Sequence, residues 1–325
     1  MSLRSRVLVP AGGLAVLGAV LLPTQVAPRL ETLPADPDVT TTLLAADAEI
    51  LDVETQSTVV RDLTLTSYTD GYRATGSPPD GVAQWRTEAT IASDDGLVRS
   101  QTWEVAAFDE RTGRASDCCE GFRVTATGAA EPVSRSGQVL KFPFRTEPVD
   151  HEVWDPALGA PVTAAYVGED TVDGVRAYEF RSVVPPTDVG PTTVPASIMG
   201  IASVQDVEVR QVYEGERTVW VEPNTGGLLD VRQRVRQTLV SDETVVVALD
   251  ATFVLGAESR ADGVEQLRQG IHLGRMRATY PLGLGIAGLL LVAGGAVRLS
   301  PRGRPAGRAR SRTSRRPSRT PGGRR

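Results

Sequence analysis

Four side chains that could do chemistry crowd into EPVDHEVWDP (147–156): Asp150, His151, Glu152 and Asp155. Carboxylates beside an imidazole can exchange protons, and their oxygens can hold a divalent cation. An acidic exposed loop also collects such clusters without function, and no GxSxG, HExxH, P-loop or GxGxxG accompanies this one. The reading is therefore non-enzymatic, with no catalytic residue, no metal and no cofactor.

The second reactive stretch is ASDCCEGF (115–122), which holds both cysteines of the chain, Cys118 and Cys119. On a strand their side chains would point to opposite faces. A turn at Gly121 would let them join as a vicinal disulfide, although neighbouring Cα atoms lie only about 3.8 Å apart, below the usual disulfide span. Such a bridge would fix a local turn and close no sizeable loop. Two reduced thiols and an intermolecular bridge are the alternatives. A metal site is disfavoured, because there is no second CxxC and His151 and His272 are remote in sequence.

Oxidation requires the right compartment, so the elements that place these residues come next. Residues 7–28 and 278–297 carry no charge. A helix of about 20 residues crosses a hydrocarbon core of about 30 Å. The first stretch reads as an uncleaved anchor; a cleaved signal peptide is the alternative, and the flanks of Ala27 suit cleavage poorly. Residues 298–325 hold eleven Arg and no acid, and residues 1–6 hold two Arg. Basic flanks stay in the cytoplasm, which predicts a two-pass protein of the cell membrane with both termini inside. All 40 acids fall within residues 29–277 against 22 basic residues, so the predicted extracytoplasmic domain has a net charge of −18.

That domain reads as mainly β and antiparallel. RAYEFRSVV (176–184), ERTVWVEP (216–223), LLDVRQRVRQTLV (228–240) and ETVVVALDATFVLG (243–256) are β-branched and aromatic, often with period two. Turns at 109–113, 172–174 and 223–227 bring strands back on themselves. A short helix is expected over 262–277. AAFDERTGRASD (106–117) and VWVEPNTGGLLD (219–230) align without gaps, which raises two similar lobes or half-barrels as one arrangement.

KFPFRTEPVDHEVWDP, followed by GVRAYEFRSVVPPT and RTVWVEPNTGGLLDV, resembles the actinobacterial two-pass envelope family known as PorA-like. The resemblance covers roughly residues 1–297. It implies an N-terminal span, an external β-rich domain and a C-terminal span, and no catalytic residues. Many members have Lys-rich, Tyr-containing sequence after FPF, where this chain has RTEPVDHEVWDP. The family name suggests a pore. Two helices cannot enclose a wide channel, and a heavily acidic domain offers no outward apolar band for a membrane barrel, so a pore would have to be oligomeric. TVWVEPNTGGLLDV is also similar to a turn of LolA-like and LprG-like lipoprotein carriers, whose half-barrels hold acyl chains on a concave face.

Phe142, Phe144 and Trp154 are read first as core and second as a ligand patch. After the prolines of VPPTDVGPTTVP, which should keep the segment extended and outside central strands, Ile198, Met199 and Ile201 are read as buried or as an apolar lip touching lipid. Ala11, Ala15 and Ala19, with Gly283 and Ala287, form small-residue stripes along which the spans could pair. The tail 298–325, with Arg302, Arg304, Arg308, Arg310, Arg312, Arg315 and Arg316, is too rich in Arg, Pro, Gly and Ser to bury a core and should bind anionic headgroups at the inner surface. Membrane lipids are thus expected partners, an envelope glycolipid or protein is a further one, and nucleic acid is not. The resulting reading is an envelope protein whose external β domain binds a lipid, glycolipid or envelope partner. A scaffold without a small-molecule site and an oligomeric pore component are the alternatives.

Overall fold

The computed structural model describes residues 3–73, 78–119, 121–124, 128–203 and 205–299. The Arg-rich tail beyond Leu299 lies outside the described residues, and so do the lipid-binding arginines expected there.

Twelve strands form one antiparallel sheet. They are β1 (Asp38–Asp52), β2 (Ser57–Gly71), β3 (Val82–Ser93), β4 (Val98–Asp109), β5 (Phe122–Val124), β6 (Ala130–Pro132), β7 (His151–Asp155), β8 (Ala160–Val172), β9 (Val175–Pro195), β10 (Asp206–Val221), β11 (Leu228–Val240) and β12 (Val245–Leu255). Their spatial order is β6-β5-β4-β3-β2-β1-β12-β11-β10-β9-β8-β7. Each half of the chain is a meander, and the halves join where β1 pairs with β12, with Leu43 opposite Leu255. The halves are thus two six-stranded meanders that share one continuous sheet.

Two-residue periodicity puts one face of this sheet inward. Leu43, Ala45, Leu63, Phe180, Val219, Val231, Val235, Ala251 and Phe253 belong to one buried cluster drawn from six strands. Register shifts interrupt the pairing of β1 with β2 between Ala45 and Ala48, of β10 with β9 between Tyr213 and Gly215, and of β11 with β12 between Gln237 and Thr238. Each adds local twist and bend, and together they coil the sheet. Its ends then meet through short bridges. Phe108 of β4 pairs with Ala115, Arg114 pairs with Gln138, and Gln138 pairs with Val153 of β7. Gln138 N donates to Glu152 O at 2.8 Å, and Gln138 O accepts from Trp154 N at 2.7 Å. Backbone pairing therefore runs full circle at one level of the sheet.

The prolines of β9 are extended, as the sequence reading has them, and they stand where the strand is an edge. Pro185, Pro186, Pro191 and Pro195 lie within a strand that has β8 and β10 as its neighbours. The reason they are tolerated is local: β8 pairs with β9 only as far as Arg181, so the prolines occupy a stretch with a partner on one side alone. Beyond them, a 3-10 turn at Ala196–Met199 buries Ile198 and Met199 against Val209 and Leu239. That stretch fills core and is no lip; only Ile201 of the three stays exposed.

Among the described residues two helices are long and apolar enough to cross a membrane, one over Val7–Leu30 and one ending at Val297. The first comprises α1 (Leu3–Leu21), a π-helical turn (Leu22–Val26) and α2 (Ala27–Leu30). At the other end α3 (Ala257–Arg277) begins five residues earlier than the expected helix at 262 and precedes α4 (Thr279–Leu299). Val264 and Leu267 of α3 pack on Val172, Val175, Ala177 and Leu229. Glu31, just after α2, is buried and ion-paired with Arg277, with Arg145 at 3.6 Å.

Among the described residues, those up to Ala19 and those from Gly283 on form a unit separate from residues 20–282. Within it α1 and α4 run antiparallel in contact. A Cβ on Gly12 would strike Gly288 O and Val292, one on Gly288 would strike Val16, and one on Gly295 would strike Val9. The seam thus follows Gly12, Val16 and Ala19 on one helix and Gly285, Gly288, Val292 and Gly295 on the other, alternating three- and four-residue steps. The anticipated stripe was misplaced: Ala11, Gly283 and Ala287 are exposed. We expect Gly288→Leu to part the helices. In a chain lacking the native cysteines, oxidative cross-linking of Val9→Cys to Gly295→Cys, read by mass, should slow about tenfold, the equivalent of ~1.4 kcal/mol.

Candidate functional site

The coiled sheet encloses a lumen of about 360 Å³, lined by residues from β1, β2, β3, β4, β7, β8, β9, β10 and β11. Its deeper wall is built in register across three strands. Phe180, Val219 and Val231 are direct cross-strand partners, and so are Ser182, Arg217 and Gln233 one step along. The next step pairs Gly215 with Val184 and Val235. Gly215 is required there because a Cβ would strike the Tyr213 ring, which folds back along its own strand. Opposite stand Leu43 and Leu65, then hydroxyls from Thr41, Ser67, Thr69 and Thr87. The lumen is mainly apolar, with the row of Ser182, Arg217 and Gln233 on one wall and the hydroxyls on the other.

Arg217 is the unusual member of that row. Its Nε is buried and bonded to nothing, and no carboxylate oxygen lies within ion-pairing distance among the described residues. The nearby acid, Asp155, is already occupied, accepting from Tyr213 Oη at 3.0 Å and from the amides of Ala157 and Leu158. Burial pulls the Arg217 guanidinium down from its usual range, against the opposing pull of Asp155 and Tyr213. Arginine nonetheless keeps its proton at any physiological pH. Tyr213 is pushed the other way, its phenol raised by burial and by Asp155. Glu104, which also lines the lumen, is matched by Arg135 at 2.7 Å.

One side of the lumen is closed by Gln138–Phe142. Two turns of like chemistry clasp this stretch and its continuation. In the first, Asp109 Oδ1 accepts from the amides of Arg111 and Thr112 and from Thr112 Oγ1. In the second, buried Glu222 accepts from the amides of Asn224 and Thr225 and from Thr225 Oγ1. Both end on a glycine in the left-handed region, Gly113 at φ 70° and Gly226 at φ 73°. Val139 N donates to Gly113 O from one side, while Phe142, Arg145 and Thr146 amides donate to Gly226, Asn224 and Pro223 from the other. A Cβ on Gly226 would overlap Phe142 O. The repeated sequence that suggested duplicated lobes is thus a repeated turn gripping one segment from two sides.

Of the expected ligand patch, Phe142 and Trp154 are buried and line the lumen, whereas Phe144 lies outside it beneath Lys141 Nζ at 3.3 Å from the ring centroid. The acid cluster is dispersed into structural bonds. Asp150 accepts from Tyr166 N, Glu152 accepts from Thr163 Oγ1, and the His151 ring packs on Phe142 and Phe180. No group of His, Cys, Asp or Glu among the described residues could hold a metal. Cys118 and Cys119 sit as a vicinal pair in one turn, Cys119 at φ 56°, and do not line the lumen. Arg217, Ser182 and Gln233 were missed as site residues. The signal was present: Arg217 falls in phase with Val219 and Val221, so alternation aims a charge at the core side.

A family model described as Porin PorA matches residues 4–297. A Porin PorA of Corynebacterium resistens is 24% identical over 242 residues, covering 54% of this chain and 59% of that protein. A Porin PorA of Corynebacterium amycolatum is 23% identical over 135 residues, covering 34% of this chain and 35% of that protein. The chain therefore spans between about a third and three fifths of the length of these curated relatives.

Two outcomes test this geometry. Lys141 is the chain's single lysine, and burial lowers its amine to about 7 although Glu222 and Glu31 oppose the shift. The unfolded amine stays protonated to about pH 10, so between those values the unfolded chain binds more protons and stability rises with pH. The Tm should climb between about pH 7 and pH 9, and Lys141→Met should flatten that climb. For the thiols, intact mass should show alkylation of Cys118 and Cys119 only after reduction; two adducts on the unreduced chain would exclude the vicinal disulfide.

Proposed function

Because the chain belongs to the Porin PorA family, we propose that it is an envelope membrane protein whose β domain holds the apolar part of an amphiphile inside its lumen. The observation that carries this reading is the lumen itself, about 360 Å³ of mainly apolar surface inside a ring of strands. Ligand sites have this size and make-up, apolar walls with a few polar groups converging on one place. A scaffold would have no use for such a space, since a core filled by side chains is more stable than one left open. The two apolar helices would hold the domain at the membrane, with both termini inside and the acidic domain outside, where amphiphiles of the envelope are at hand.

The relatives' name supports a second reading, a pore component. The outward face of the sheet speaks against membrane insertion of the strands: Arg181 pairs there with Glu216, and Arg234 and Arg236 flank Asp250. A lipid-facing barrel needs an apolar band in that place. A pore would then be an assembly of several chains.

Native mass spectrometry of the gently extracted full chain separates the readings. The expected result is a single chain carrying amphiphiles, lost when Ala89→Phe fills the lumen from β3 while the thermal transition stays within a few degrees. Ring-shaped oligomers without bound lipid, together with conductance steps in planar bilayers, would sink the first reading in favour of the second.

A further inference from the structure

The lumen holds a guanidinium, that of Arg217, whose Nε has no hydrogen-bond partner and which forms no ion pair among the described residues. A buried guanidinium is stable only where its donors meet an anion or water, and Arg217 cannot shed its proton to escape the cost. The acids that could serve it are committed: Asp155 to Tyr213 and two backbone amides, Glu104 to Arg135. Meanwhile Ser182 and Gln233, its cross-strand partners on both sides, bring a hydroxyl and an amide to the same row of the wall. Directly beside this row lies the apolar one of Phe180, Val219 and Val231. Charge, two neutral hydrogen-bonding groups and an apolar wall therefore follow one another along adjacent strands. That is the order of groups in an amphiphile with a single anionic end.

Resting on the reading of the lumen as an amphiphile site, we propose that Arg217, flanked by Ser182 and Gln233, binds the anionic group of the ligand, a carboxylate or phosphate, while the chain lies along Phe180, Val219 and Val231. Arginine suits this role because its planar fork can meet two oxygens of either anion at once. The selected class is an acidic single-chain or phosphorylated lipid over a neutral one of the same length.

The test compares hexadecanoate with hexadecanol, equal in chain and different in charge, by titration into the full chain in amphipol, with inorganic phosphate as a third probe. The expected result is hexadecanoate bound about tenfold more tightly than hexadecanol, a ratio that falls to about twofold or less in Arg217→Gln and is retained in Arg217→Lys. Equal affinity of the unaltered chain for acid and alcohol overturns the assignment of Arg217 while leaving the lumen reading intact. Binding of neither probe fails the lumen reading itself. Phosphate bound as tightly as hexadecanoate, with hexadecanol unbound, makes the site one for a free anion and overturns the amphiphile assignment. Should Arg217→Gln not fold, the ratio in the unaltered chain and in Arg217→Lys decides alone.

Discussion

A twelve-stranded sheet in water has two edges to satisfy, and here one of them, β7, is met by a short segment. Gln138 pairs with Val153 of β7 on one side and with Arg114 on the other, and Ala115 carries the pairing on to Phe108 of β4. The segment has no regular structure of its own. It is held in shape by the turn at Asp109 and the turn at Glu222, the first built by a carboxylate collecting three donors and the second by one collecting four. Buried Glu222 and the nearby amine of Lys141 add opposite charges to the same grip. Remove that segment and the ring opens, with Gln138 gone from the seam and Phe142 gone from the lumen.

Closure with this many strands has a geometric consequence. A ring of about eight strands is just wide enough for its own side chains to fill, and wider rings leave space. The bulges of β1, β9 and β12 coil the sheet without narrowing it to that limit, and the lumen is what remains. Its chemistry follows from the parity of a few strands. Ser182, Arg217 and Gln233 face inward because they alternate with Arg181, Glu216, Thr218, Arg232 and Arg234, which face out. The outer surface can thus be charged and wet while the inner one stays mainly apolar.

Much of this was legible in the sequence, and the failures are specific. The span over LLDVRQRVRQTLV is β11 residue for residue, since valine alternation within bounding turns leaves little freedom. Strand order was not legible, because pairing of β1 with β12 joins residues more than 200 apart and no local pattern carries that information. The prolines of β9 were legible for a physical reason: they exclude a strand with partners on both sides, and the structure gives them an extended stretch with one. The aromatic patch was half legible. Phe142 and Trp154 do border the lumen, but the groups that give it polarity lie on β9, β10 and β11, far along the chain from both. The glycines that let α1 and α4 touch were overlooked for the alanine stripe, because composition alone does not say which side of a helix meets its neighbour.

The junction of β1 with β12 also dictates when the molecule can come into being. Leu43 waits for Leu255, and Glu31 waits for Arg277, so the first strand made is completed by the last. Contacts so distant along the chain form slowly, and during synthesis the early meander must persist with an unsatisfied border until its counterpart arrives. Closure of the sheet therefore waits until β12 has been made, and a chain cut short before β12 would leave the β1 edge open to pairing with any other exposed strand.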